Sequence, residues 1–202
     1  MSNTISSLTD KNDNLKKIRK LKRSKRKRVQ DSEIEEQEKK HFMKWLNLAA
    51  NCGYNGYRIK ELSKENGDCL FESILLSSGK FSSELVSEFK KDIAIVLLEN
   101  KTNKYLENLE GTLEQVFINF NDIPGYTYDD MVEDITYHQN WTRINTHLLL
   151  NIMSKHYKLD FIIINNTSTQ RICISTHNSD VSKEIPLGHL LEHHYVPLTK
   201  IV

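Results

Sequence analysis

At 202 residues with 38% hydrophobic side chains, the chain is long enough to bury one core and too short for two generous domains. No window approaches about eighteen consecutive apolar residues, so no membrane-spanning helix and no membrane partner is expected, and the opening MSNTISSLTDKNDNLKK lacks the apolar segment of a secretory leader. The formal charge of +1 hides two opposed parts: residues 1–30 hold eleven Lys or Arg against Asp10 and Asp13, net +9, which leaves 17 basic and 25 acidic residues beyond, net −8.

The run LKKIRKLKRSKRKRV packs ten basic residues into positions 16–28. It self-repels and has little to bury, so residues 1–33 are expected to form a basic arm that is disordered when free. Residues 15–29 then read as a nuclear-import signal or a contact for nucleic-acid phosphates, or else as a solvated tail. The acidic helix former DSEIEEQEKKHFMKWLNLAA follows, with a helix expected from Ile34 to Ala50 and ended by the turn residues of NCGYNG. YRIKEL suits a short strand or an extended lead-in to the next segment, NGDCLFESI. Residues 69–78 read as a buried helix closed by Gly79. Ser82 or Ser83 can cap another helix, whose Leu85, Val86, Phe89, Ile93, Val96 and Leu97 recur at helical spacing. LLLNIMSKHY places Leu148, Leu149, Ile152, Met153 and Tyr157 on one helical face. LDFIIINN, RICIST and HHYVPL read as strands, the first two joined as a hairpin across NNTSTQ. Helices first and strands later give an α+β class, a mixed α/β sandwich with residues 34–202 as one domain.

Cys52, Cys69 and Cys173 are odd in number, widely spaced and without a CxxC pair, which points to free thiols in a reducing compartment. Eight histidines show no zinc-ligand spacing, so no metal and no cofactor is expected. Cys69 follows a small turn cluster and opens a helix. It is either a small buried hydrophobe or a nucleophile whose thiol the helix N-terminus acidifies. Gly67 permits a close backbone approach, so N–H groups around Gly67 and Asp68 can face an oxyanion. Asn66 can cap the helix or donate its amide. The Asp68 carboxylate opposes a second negative charge at Cys69. A base for Cys69 has to come from far along the chain, and His194 on the terminal strand is the strongest source. His193 points to the other face, while Val196 and Leu198 share the inward face of His194. His41, His138, His147, His156, His177 and His189 read as surface or partly packed residues.

NGDCLFESI resembles the DGNCLF(R/H)(A/S)I signature of the ovarian tumour (OTU) family of cysteine deubiquitinases. Tyr128, Met131 and Trp141 in YTYDDMVEDITYHQNW, the block LLLNIMSKHYKLDFIIIN and the terminal HHYVPL are similar to family segments in the family's order, over about residues 60–198. The resemblance implies a papain-like OTU fold, with a small central sheet flanked by helices. It implies Cys69 as nucleophile, His194 as general base and Asn66 at the position often grouped with the catalytic residues. Four positions depart from the pattern: Asn66 for Asp, Asp68 for Asn, Val196 where an Asp or Asn commonly orients the histidine, and WTR where glycines follow the Trp. Asn66 or a side chain just upstream is then expected to orient the ring.

The expected function is a thiol-dependent isopeptidase that removes ubiquitin or a ubiquitin-like modifier from lysines through a Cys69 thioester, with those modifiers and their conjugates as partners. Two rivals stand beside it: a weakly active or inactive binding module delivered by the basic arm to nucleic acid or an import receptor, and a protease without modifier preference. Abundant Asn, Lys and Ile suit an AT-rich viral or parasite genome. An intracellular place is expected, cytoplasmic or nuclear, and within the host cell for a viral source.

Overall fold

The computed structural model describes residues 33–63, 67–79, 83–107, 109–137, 145–177, 182–190 and 194–201. The basic arm over 1–32, Asn66, Ser82, His138, Trp141 and His193 lie outside the described residues. The chain divides into two compact units, Met1–Lys44 and Trp45–Val202. The described part of the first is helical and largely exposed, with a Glu36–Lys40 pair at 2.9 Å one turn apart.

Residues 33–54 are helical (α1), so the helix runs beyond its expected end at Ala50. Cys52 lies one turn after Leu48, and both are fully buried. That shared apolar stripe carries the helix through NCGY and leaves only Asn55–Gly56 as the turn, with Gly56 at φ +77°.

The remaining elements are β1 (Tyr57–Ile59), α2 (Cys69–Ser78), α3 (Ser83–Glu99), α4 (Leu113–Phe120), α5 (Tyr128–Tyr137), α6 (Thr146–Tyr157), β2 (Leu159–Asn165), β3 (Arg171–Ile174), β4 (Lys183–Leu190) and β5 (His194–Lys200). The strands form one mixed sheet in the order β1-β5-β4-β2-β3. Only β2 and β4 are parallel; β2–β3 is the expected antiparallel hairpin, and YRI pairs as a short edge strand with the end of β5. This is the expected mixed α/β fold with a small central sheet.

β4 was not expected from the sequence, although it sits at the centre of the sheet. Pro186, Gly188 and His189 interrupt its apolar pattern. Pro186 lies beside Ile162 of β2, just where the ladder to β5, which begins at Leu187, has run out. Gly188 is required by packing. A Cβ there would lie 2.7 Å from Val196 Cγ2, 3.2 Å from Leu198 Cδ2 and 3.3 Å from Leu48 Cδ2, so its bare backbone lets α1 approach the sheet.

Alternation along the strands divides the core in two. Phe161, Ile163, Ile185, Leu187 and Tyr195 belong to one cluster with apolar residues of the helices α2 to α6. Ile162, Ile164, Leu190, Val196 and Leu198 face Leu48 and Cys52 of α1. The expected stripe of α3 is buried at Val86, Ile93, Val96 and Leu97, whereas Leu85 is at its edge and 37% exposed. α4 and α5 form an outer helical layer. Tyr128 is buried there, donates to the Leu97 carbonyl at 2.9 Å and meets Phe117 edge-on. No helix among the described residues is long and apolar enough to cross a membrane.

Candidate active site

Helix α2 starts at Cys69, as expected, and ends at Gly79 in the left-handed conformation. Gly67 has φ +82°, a conformation that costs a glycine little and any side chain more. It turns the chain sharply into the helix. Asp68 occupies the N-cap position, yet its side chain makes no capping hydrogen bond. It reaches instead to α3, where Lys90 Nζ lies 2.7 Å from Oδ1. Both side chains are largely buried, 7% exposed for Lys90 and 15% for Asp68. Lys90 Nζ also lies 5.8 Å from the centre of the Phe71 ring. The negative charge that the sequence places beside Cys69 therefore has a cation of its own, held away along α3. A signal for this existed: Lys90 falls on the stripe of Val86, Ile93 and Leu97, where a cation needs a partner.

His194 opens β5, 125 positions after Cys69. The sheet brings the start of β5 to the thiol: the Tyr195 N–H donates to Cys69 Sγ at 3.5 Å, so the His194–Tyr195 peptide lies against the start of α2. Cys69 is 1% exposed and His194 5%. His194 shares its face with Val196 and Leu198, as expected, and its ring meets Trp45 of α1 edge-on at 5.9 Å.

The thiol is the place where the structure corrects the sequence. A helix N-terminus alone favours the thiolate, but burial pushes the Cys69 thiol up to about 11. The N–H groups of Tyr195, Leu70 and Cys69 itself act in the opposite direction, and the Glu72 carboxylate adds to the rise. Desolvation wins because the sulfur is almost wholly removed from water. Burial thus favours the protonated thiol near neutral pH, and a thiolate there requires a base.

Further residues surround the pair. Ser63 lies just upstream of the Cys69 loop, in the region expected to orient the histidine, and its hydroxyl is 3.2 Å from His194 Nε2. The same hydroxyl donates to the Tyr195 carbonyl and stands 3.5 Å from the Ser73 hydroxyl, one turn along α2 from Cys69. Val196, at the usual orienting position, is fully buried in the second core and offers nothing polar. His189 stacks on Tyr195 with ring centres 4.2 Å apart and planes 8° from parallel. Burial, with the nearby His194 charge, lowers its pKa to about 4, so it is neutral near pH 7. The Tyr195 hydroxyl reaches Thr146 at the start of α6, 3.3 Å away. Neither Ser63 nor His189 carries a motif; only the fold assigns them a place. Among the described residues no group of three His, Cys, Asp or Glu is arranged to hold a metal ion.

No protein-family model and no curated protein matches the sequence. Solved structures do match by fold. The OTU domain of OTUD1 superposes with a TM-score of 0.57 at 10% identity, over 79% of this chain and 96% of that one. An OTU deubiquitinase from Wolbachia pipientis wMel gives 0.51 at 14% identity, over 72% and 90%. An ovarian tumour domain solved in complex with ubiquitin gives 0.51 at 14% identity, over 71% and 69%. Cys69 at the start of α2, His194 at the start of β5 and the five-stranded mixed sheet between the helices are thus set in the fold of the OTU domains.

Proposed function

We propose that the protein is a cysteine isopeptidase that cleaves ubiquitin or a ubiquitin-like modifier from lysine side chains. The observation that supports this reading is the hydrogen bond from the Tyr195 N–H to Cys69 Sγ, which sets the start of β5, where His194 stands, against the one cysteine at a helix start. The shared fold with an OTU domain solved bound to ubiquitin supports the modifier as partner.

Because the resting thiol is protonated, His194 removes its proton as the sulfur attacks. The C–S bond forms at the carbonyl carbon of the modifier's C-terminal glycine, and the carbonyl electron pair moves onto oxygen. Backbone N–H groups at Gly67, Asp68 and Cys69 are assigned to hold that oxyanion. Collapse breaks the C–N bond, and the lysine amine leaves with the proton from His194. Water, deprotonated by the same ring, then opens the thioester to a carboxylate and restores the thiol. At 1% exposure, Cys69 is reached only after what covers it moves.

That burial also favours the second reading, a binding module that has kept the fold without the chemistry. A ubiquitin probe with a C-terminal electrophile separates the two. The proposal expects a covalent adduct on Cys69 that is absent from Cys69→Ala. Folded protein that labels with no modifier probe is the module, and its binding to nucleic acid would then be lost on removing residues 1–30.

A further inference from the structure

We propose that Ser63 is the positioning residue for His194, holding its ring in the tautomer that carries hydrogen on Nε2 and a lone pair on Nδ1. The assignment rests on reading His194 as the base. It follows from counting protons around one buried oxygen. A serine hydroxyl has one hydrogen to give and two lone pairs to receive. Ser63, itself 7% exposed, gives its hydrogen to the Tyr195 carbonyl. Toward His194 Nε2 at 3.2 Å and the Ser73 hydroxyl at 3.5 Å its oxygen is therefore an acceptor. An acceptor facing Nε2 selects the N–H form there, in both the neutral ring and the imidazolium.

The consequence is chemical. The unprotonated Nδ1 is the atom able to take the Cys69 proton, and Nε2–H stays bonded to Ser63 while the ring is charged. Ser63 thus takes the role for which Val196 has no polar atom. Its anchor is the Tyr195 carbonyl, and the N–H of the same residue is bonded to Cys69 Sγ, so the backbone of one residue ties the orienting hydroxyl to the nucleophile. A carboxylate would stabilise the imidazolium more strongly than a hydroxyl does. The arrangement therefore orients the ring with less electrostatic gain.

The test is long-range 1H–15N NMR of the imidazole rings in the full chain at about pH 8, above the ordinary histidine range. Wild type, Ser63→Ala and Ser63→Thr are compared, with His194→Gln assigning the signal. The expected result is an Nε2–H tautomer for His194 in wild type, a mixture of tautomers in Ser63→Ala and return of the single form in Ser63→Thr. In the same samples, labelling of Cys69 by the ubiquitin probe falls about tenfold or more in Ser63→Ala and by less than about threefold in Ser63→Thr. An Nδ1–H tautomer in wild type overturns the proposal without any variant, as does a Ser63→Ala spectrum identical to wild type. A wild-type Nε2–H signal that responds to Ser63→Ala in protein that never labels supports the positioning role and removes the isopeptidase reading.

Discussion

Replacing Lys90 with Met keeps the buried stem and removes the charge, leaving the Asp68 carboxylate at the head of α2 without the cation 2.7 Å away. Breaking a buried pair from one side typically costs about 3–5 kcal/mol, because the remaining charge stays in a poorly solvated site. Asp68 keeps 15% of its side-chain surface, so the lower end, about 3 kcal/mol, is expected. Removing both charges, in Asp68→Asn with Lys90→Met, leaves no ion to solvate and should cost only about 1 kcal/mol. The double variant should therefore be about 2 kcal/mol more stable than Lys90→Met alone, read from urea unfolding of wild type, both single variants and the double. The same cycle reaches Cys69. An uncompensated carboxylate beside the sulfur should slow its alkylation by iodoacetamide about tenfold at fixed pH, and the double variant should recover it. A Lys90→Met variant within about 0.5 kcal/mol of wild type, or a double variant as unstable as that single one, would show that the pair does not hold Asp68.

Further outcomes follow from the same geometry. His189 titrates at about 4 in the folded chain against an ordinary 6.5, so the native state binds fewer protons between those values. Its contribution is fully present above pH 6.5 and is lost as pH falls through 4, a change of about 3 kcal/mol that His189→Phe should flatten in pH-dependent melts. Gly188→Ala should cost about 1–3 kcal/mol in thermal or urea unfolding, since the new methyl meets Val196, Leu198 and Leu48 within 3.3 Å. Site-resolved mass spectrometry should show Cys69 alkylation still climbing above pH 9 toward the thiol value of about 11. A plateau near neutrality would instead reveal a preformed thiolate–imidazolium pair.

Local signals reached far into this fold. Cys69 at the start of α2, the stripe of α3, the hairpin of β2 and β3 and the inward face of β5 were all legible, because each rests on spacing or turn chemistry within a few residues. β4 was hidden because Pro186 and Gly188 are disfavoured inside strands. Both are accommodated here by features of distant elements, the end of the β5 ladder and the close approach of Leu48. α1 ran past its apparent stop for a similar reason, since burial of Cys52 outweighed the turn residues around it. In the site, the motif exposed the candidate nucleophile and the candidate base, but not what surrounds them. The partner of Asp68 lies on the next helix, and Ser63 reaches a ring 131 positions away. The thiol's rise came from enclosure by the whole fold, which a helix-end argument from nearby residues does not contain.

Isopeptide cleavage by Cys69 is measured by incubating wild type and Cys69→Ala with a panel of linked diubiquitins and following monoubiquitin release. Wild type should cleave at least one linkage and Cys69→Ala none, with a thioester to Cys69 trapped at short times. Equal cleavage by both proteins, or none by folded wild type on any ubiquitin or ubiquitin-like conjugate, would contradict the proposed activity.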